Sequence, residues 1–214
     1  MKKNIIQPQS ASTFHHYQNI SEQYNDIVFC DEAYRQWGVE LIIQALALTP
    51  SDVVVDLGGG IGIYSHMVYA AVSLKTKVLC VDMCNGMLER IHLPGVSKLC
   101  ADAMSFAQRK GMGYDKIYIK ESIHHFSQRV EIFTGIYQQL SPGGRLLITT
   151  RPQTPGYPFF QAAMERFAQE QPCHEVIKTE LETVGFVVDM KCHQYPLEFK
   201  KISGFICSDT VMSG

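Results

Sequence analysis

The amino-acid sequence predicts an α/β protein built on a doubly wound, mostly parallel, seven-stranded sheet with helices on both faces. Three observations carry that expectation. Short β-branched runs such as Val53–Leu57 and Lys77–Asp82 alternate with segments of helical periodicity, and that order builds parallel strands joined by helical crossovers. The first run opens directly into Gly58-Gly59-Gly60-Ile61-Gly62, a turn suited to carry a strand into a helix. The chain has 214 residues, 46% hydrophobic and 19% charged, which is ordinary globular composition and enough for one substantial core.

Taken in order, residues 1–12 show no periodic signal. Residues 13–48 read as helix: Tyr17, Ile20, Tyr24, Ile27 and Val28 recur at helical spacing, followed by Trp37, Leu41, Ile42, Ala45 and Leu46. Thr49-Pro50-Ser51-Asp52 stops that helix. Val53–Leu57 is a buried strand, Ile61–Ser73 a helix, Lys77–Asp82 a second strand and Asn85–Ile91 a helix. Lys98–Ala101 and Tyr114–Ile119 are strands three and four, Val130–Leu140 a helix, and Arg145–Thr150, after the turn Ser141-Pro142-Gly143-Gly144, the fifth strand. Phe159–Gln169 and Cys173–Val184 read as helices. Phe186–Val188 and Cys192–Phe199 complete the sheet as a closing, antiparallel pair. No internal repeat or Pro/Gly/Ser-rich linker divides the chain. The organisation is one domain, with an N-terminal helical lid segment (1–48), a ligand-binding core (49–199) and a tail (200–214).

Bulk chemistry narrows the partners. A net charge of -2 offers no field for nucleic acid or membrane, and the adjacent Lys200 and Lys201 make a poor basic patch. No run of 18 apolar residues exists, so no membrane span is expected. Gln7-Pro8-Gln9-Ser10 interrupts any signal-peptide core. Seven scattered cysteines without a CxxC pair suit reduced thiols in the cytoplasm and no metal site.

The glycine turn is the most informative feature. In an open α/β sheet, ligands bind beyond the carboxyl ends of the strands, and glycines let a ligand approach the backbone closely. A nicotinamide fingerprint needs glycine at its first, third and sixth positions. Counting from Gly58 puts Ile63 sixth, and counting from Gly60 puts Ser65 there. The pattern that fits is D-x-G-x-G-x-G, with Asp56 at the strand end. That acid suits the α-ammonium of S-adenosylmethionine (SAM) and would repel a pyrophosphate. Asp82 ends the second strand, where an acid can accept from both ribose hydroxyls. Its alternative role is a helix cap, and the turn's alternative is a purely structural one.

With these residues in place, the sequence resembles the class I SAM-dependent methyltransferases, and within them the small-molecule, ubiquinone-biosynthesis-like group. The resemblance spans about residues 17–195 and rests on VVVDLGGGIG (53–62), VDMCNGML (81–88), ADAMSF (101–106), DKIYIKESIHHF (115–126) and LSPGGRLLIT (140–149). It implies the Rossmann-like methyltransferase fold and SAM as cofactor. By the same resemblance, Asp56, Gly58 and Gly60 would hold the methionine part of SAM. Asp82 would bind ribose, Met83 would pack on adenine, and Asp102 with Ala103 would bind the adenine edge. Lys120 to His125 would lie beside the sulfonium. Tyr17 and Tyr24 would form a lid, where a tyrosine ring face suits a sulfonium cation; simple helix packing explains them equally well.

Methyl transfer from a sulfonium needs alignment more than acid–base help. A base serves only an acceptor that must lose a proton. Of two adjacent histidines after strand four, one can face a pocket and the other away; His125 is the candidate base or orienting group, with Glu121 as an acceptor or SAM contact. His15 and His16 read as solvated. Cys30, Cys84 and Cys173 form no motif for thiolate chemistry on arsenic. The Asp/Asn-Pro-Pro-aromatic signature of amino-methylating enzymes on macromolecules is absent, since that place reads Lys120-Glu121-Ser122-Ile123. The expected function is methyl transfer to a small-molecule acceptor, with a homodimer compatible with the sequence. The alternative is a SAM-binding or degenerate subunit acting through a protein partner.

Overall fold

In the computed structural model, residues 32–154, 165 and 168–195 are described. Helix α1 (Glu32–Leu46) precedes β1 (Val54–Leu57), α2 (Ile63–Val72), β2 (Val78–Asp82), α3 (Asn85–Glu89), β3 (Val96–Cys100), α4 (Ala103–Ala107) and β4 (Tyr114–Lys120). A 3₁₀ turn (Ile123–His125), α5 (Arg129–Gln139), β5 (Leu140–Thr149) and α6 (His174–Val184) follow. Among the described residues these strands form a five-stranded sheet of order β3-β2-β1-β4-β5, with every neighbouring pair parallel. The chain winds outward from β1 to β3, returns to the other side of β1, and winds outward again. The reversal between β1 and β4 opens a crevice above their carboxyl ends, which is where such sheets bind ligands.

Strand periodicity sorts the core into two layers. Val54, Val78 and Tyr118 point to one face and pack with Val39, Ile42 and Leu46 of α1 and Val68 of α2. Val55, Leu57, Val81, Ile117 and Ile119 point to the other, against Phe106 of α4, Ile132, Phe133 and Ile136 of α5, and Ile177 and Leu181 of α6. All four β1 residues are buried, as a central parallel strand covered on both faces requires.

The α5–α6 layer carries two polar fastenings. Arg129 grips Glu180 with two bonds, Nε to Oε2 at 2.6 Å and a terminal nitrogen to Oε1 at 2.7 Å, a fork geometry that joins the two helices. The buried Gln139 donates from Nε2 to the carbonyls of Phe106 and Ala107 at 2.9 and 3.0 Å. It thereby ties down the end of α4, where the Arg109 N–H also reaches Phe106 O at 3.1 Å.

The Ser141–Gly144 segment lies within β5 as a bulge: Tyr114 faces Leu140, yet Lys116 faces Arg145. The expected closing strand pair is not among the described elements. Residues 186–195 carry no strand, and 196–199 lie outside the described residues. Phe186 is committed elsewhere. Its N–H donates to Leu181 O at 3.1 Å while Gly185, at φ 113°, donates to Glu182, a Schellman closure of α6. The Phe186 ring stands edge-on to Tyr137 at 5.0 Å. The expected helix over 159–169 falls almost wholly outside the described residues, as does the first part of the 13–48 helix. No helix among the described residues is long and apolar enough to cross a membrane.

Candidate functional site

The glycine turn folds back onto β2. Gly58 and Gly59 both donate to Val81 O, at 2.7 and 3.1 Å. Gly58 has φ 82°, and a Cβ there would lie 2.3 Å from Ser122 Oγ. Left-handed backbone and close approach together demand glycine at that position. Gly60, at φ 56°, differs: a Cβ there would meet nothing within 4 Å. Its outer face is open to the crevice, and its N–H donates to Asp82 Oδ2 at 2.9 Å.

Beneath the turn lies a cross-strand polar row. Asp56 pairs in register with Cys80 on β2 and Tyr118 on β4. Its carboxylate is 2% exposed and accepts from Ser65 Oγ of α2 at 2.7 Å. Burial raises its pKa from 3.8 to about 6; the Ser65 and Tyr118 hydroxyls and Lys120 oppose that rise, and the Asp82 charge adds to it. The Tyr118 hydroxyl is buried beside this carboxylate without a well-formed hydrogen bond. Asp56 lies under Gly59, whose added Cβ would sit 2.6 Å from the Asp56 Cγ.

Asp82 stands at the end of β2 with one oxygen on each side of the crevice floor. Oδ2 takes the Gly60 N–H, and Oδ1 takes the Cys84 N–H at 2.8 Å. Burial raises its pKa, against the pull of those two N–H donors. These two bonds leave room for further contacts, because each carboxylate oxygen keeps a second acceptor site. Met83 follows, half-buried. Asp102 caps α4: Oδ1 accepts the Ser105 N–H at 2.7 Å and Oδ2 the Ser105 hydroxyl at 3.1 Å. Ala103, the first residue of α4, stands beside it, so the cap fixes both residues where adenine binding was expected.

The fourth strand ends in charged residues. The Lys120 ammonium lies 4.3 Å from the Tyr64 ring centre and 5.9 Å from that of Tyr34, a cation held by ring faces. Burial lowers its pKa; Glu121 and Asp56 oppose that and Arg151 adds to it. Glu121 adopts φ 55°, a left-handed backbone uncommon outside glycine. Its carboxylate meets Arg151 Nε at 3.0 Å. Ser122 turns inward, its hydroxyl donating to Leu57 O at 3.1 Å.

His124 and His125 pack ring to ring at 3.9 Å. His124 is the inward member, with a buried Nδ1 that has no partner; burial lowers its pKa, with Glu170 opposing and Arg151 reinforcing. His125, the expected base, is the exposed one. Tyr17 and Tyr24 lie outside the described residues.

A cavity of about 1090 Å³ runs along β5 rather than over the glycine turn. Lys120, Glu121, Arg151, Tyr34 and Trp37 line it, as do apolar residues of β5. It meets the crevice at the carboxyl ends of β4 and β5. Sequence reasoning missed Ser65, Tyr64, Tyr34, Tyr118 and Arg151. Only Arg151, just past strand five where ligands bind in such sheets, had a readable signal.

Comparison with known proteins agrees with this fold. The family model described as a methyltransferase domain matches residues 54–144. A phosphoethanolamine N-methyltransferase of Triticum aestivum is 27% identical over 151 residues, which cover 67% of this chain and 30% of the wheat protein. The match thus spans under a third of that relative's length. Among solved structures, phosphoethanolamine N-methyltransferase 2 of Haemonchus contortus in complex with S-adenosyl-L-methionine superposes with a TM-score of 0.68 at 19% identity, over 87% of this chain and 46% of that one. The [4+2]-cyclase SpnF superposes with a TM-score of 0.67 at 16% identity, over 83% and 72%. These likenesses establish the fold. The cyclase shows that one fold hosts more than one reaction.

Proposed function

We propose, from the premise that this chain carries a class I methyltransferase domain in its characteristic fold, that it is a SAM-dependent methyltransferase acting on a small-molecule acceptor. One observation carries the reading. Asp56, Asp82 and Asp102 stand near the end of β1, at the end of β2 and just after β3, the first two against a glycine turn whose open side a Cβ at Gly60 would fill. That series suits an ammonium, a ribose and an adenine amino group in turn. It would repel the pyrophosphate of a dinucleotide.

Gly58 and Gly60 admit the methionine end of SAM, with the Asp56 charge beneath them and Lys120 on the opposite side to favour its carboxylate. Asp82 accepts from the ribose hydroxyls while staying tied to Gly60 and Cys84. Met83 covers the adenine face, and Asp102 and Ala103 meet its edge. Bound SAM supplies a methyl group on a sulfonium, so the acceptor's lone pair forms the new bond as the sulfur keeps the electrons of the old one and leaves as a neutral thioether. Glu121, which lines the cavity, and the exposed His125 orient the acceptor or take its proton. Tyr17 and Tyr24 act as a lid on a single core, to which α1 belongs. The scattered cysteines without paired spacing fit a reducing, cytoplasmic setting.

Isothermal titration tests this directly. Micromolar SAM binding with no NADH signal is expected; absence of SAM binding would leave the fold serving another role, as a partner-binding subunit. Asp82→Ala should raise the SAM dissociation constant about 100-fold, because charge-assisted hydrogen bonds contribute roughly 1.5–3 kcal/mol each. An unchanged constant would remove Asp82 from the ribose site.

A further inference from the structure

We propose that Tyr64 is a positioning residue of the cofactor site: its ring face, with Tyr34 beside it, holds the Lys120 ammonium at the crevice, where that cation selects adenosyl ligands that carry an amino-acid carboxylate. This rests on the reading of the crevice as a SAM site. It adds how the chain tells SAM from its decarboxylated analogue.

The arrangement draws on three elements. Lys120 ends β4, two residues after Tyr118, so strand alternation puts both on the face that α1 and α2 cover. Tyr118 pairs in register with Asp56, which places Lys120 one pleat further toward the crevice. Tyr64 is the second residue of α2, close behind the glycine turn. Its ring centre lies 4.3 Å from the Lys120 ammonium, and that of Tyr34 lies 5.9 Å away. The second distance is at the outer limit for such a contact, so Tyr64 is the principal holder. Room for the ring comes from α1. A Cβ at Gly38 would lie 3.1 Å from Tyr64 Cε1, 3.3 Å from its hydroxyl oxygen and 3.6 Å from Lys120 Cε. The buried Gly38 thus leaves a space that the ring fills.

Neither nearby carboxylate holds this ammonium. Glu121 meets Arg151 at 3.0 Å, and Asp56 accepts from Ser65 at 2.7 Å. Among the described residues Lys120 has ring contacts and no ion pair. Burial lowers its pKa, the two acids oppose that from a distance, and Arg151 adds to it. Arg35, which acts on Tyr64, is itself paired with Glu32 at 2.9 Å. Burial pushes the Tyr64 hydroxyl well above its usual range, with Tyr34 and Glu121 adding and Arg35 opposing. The ring is therefore neutral and offers the cation only its face. A carboxylate in that place would neutralise the ammonium, and a ligand would have to break a buried ion pair to use it. A ring face holds the cation through its quadrupole and leaves the charge for the ligand. Glu121 and Arg151 compensate one another, Glu170 acts on His124, and Asp82 serves the ribose. Asp56 and Lys120 remain as the two opposite charges of the β1–β4 floor, and they match the ammonium and the carboxylate of the methionine end.

Lys120, Tyr34 and Gly38 line the cavity, whereas Tyr64 does not. Substituting Tyr64 therefore alters the footing of the ammonium and removes no cavity wall. Isothermal titration compares SAM with decarboxylated SAM, which keeps the sulfonium, amine, ribose and adenine and lacks only the carboxylate. The wild-type chain should bind SAM about tenfold tighter, the usual scale for one charged contact. Tyr64→Leu should cut that ratio about fivefold, the scale of a partly buried cation–ring contact, by weakening SAM alone. Tyr64→Phe should restore it. Lys120→Met should bring the ratio near unity, and Tyr64→Leu added to it should change the ratio no further. Replacing Tyr64 by pentafluorophenylalanine keeps the ring's shape and inverts the charge of its face. It should lower the ratio as leucine does, and it carries the test if Tyr64→Leu does not fold. Equal weakening of both ligands by Tyr64→Leu, a ratio that survives the fluorinated ring, or a wild-type chain that binds both ligands alike would overturn the proposal and leave the SAM site standing. Binding of neither ligand by the wild-type chain would instead remove the reading beneath it.

Discussion

Asp56→Asn should raise the melting temperature of the ligand-free protein at pH 7 and weaken SAM binding by tenfold or more. The two effects share one cause. The carboxylate is 2% exposed, and burial raises its pKa from 3.8 to about 6. At pH 7 it is charged in both folded and unfolded chains, and the fold bears the full cost of burying that charge. As pH falls through about 6 toward 3.8, the folded protein takes up a proton before the unfolded chain does, and the cost disappears. A displacement of about two units corresponds to roughly 3 kcal/mol at 1.36 kcal/mol per unit. For a domain of this size that is on the order of 5–10 °C. Asparagine keeps an acceptor for Ser65 and adds a donor aimed at the row that holds the Tyr118 hydroxyl. It cannot supply the negative field under the glycine turn that favours an ammonium. Thermal unfolding at pH 7 and pH 4.5 checks the argument: the gain should be present at the first and largely gone at the second. A variant less stable than the parent at pH 7 would show that the buried charge is compensated and is not a cost retained for binding.

Gly135→Ala should destabilise the fold by about 2–4 kcal/mol, against the ordinary expectation for a helical glycine. Alanine in a helix interior gains about 1 kcal/mol over glycine. In α5, however, the added Cβ would lie 2.3 Å from the Ala107 carbonyl oxygen and 2.7 Å from its carbon. Those atoms are backbone, so α4 itself must move. Overpacking of that kind costs roughly 1–3 kcal/mol, and the same shift strains the two Gln139 bonds to α4, each guarding buried carbonyls worth about 1–3 kcal/mol if left unmade. The clash therefore exceeds the propensity gain. Denaturant unfolding measures it, with lowered SAM affinity expected beside it because α4 carries Asp102 and Ala103. A neutral result would show slack between α4 and α5.

The contrast between these sites explains what was legible in the sequence. β1, β2, β4 and the glycine turn announce themselves because period, β-branching and glycine placement are local. Asp82 was locatable from its place at the end of a strand, and Asp102 only through the family resemblance. Gly135 reads as an unremarkable helical glycine, because only the approach of Ala107, 28 residues earlier in the chain, makes it indispensable. Tyr118 reads as core until the register sets it against Asp56. The Glu121–Arg151 pair spans two strands and a helix, and nothing in either residue's neighbours in sequence names the other. The closing strand pair was expected from alternation alone, which cannot register that Phe186 is taken by the end of α6. The histidine pair was correctly placed beside the strand end, but its inward member is set by the 3₁₀ turn, which periodicity does not report.

The Gln139 cap has one more consequence. Helix α4 is five residues long, too short to persist in water by itself. Its first turn is closed by its own Asp102, but its last carbonyls are held by a side chain of α5. Its amide hydrogens should thus be released to deuterium in step with α5, and not with β3, which immediately precedes it. The shelf on which an adenine would rest is then an extension of the α5 cooperative unit, and its lifetime is set on the far side of the sheet's carboxyl edge.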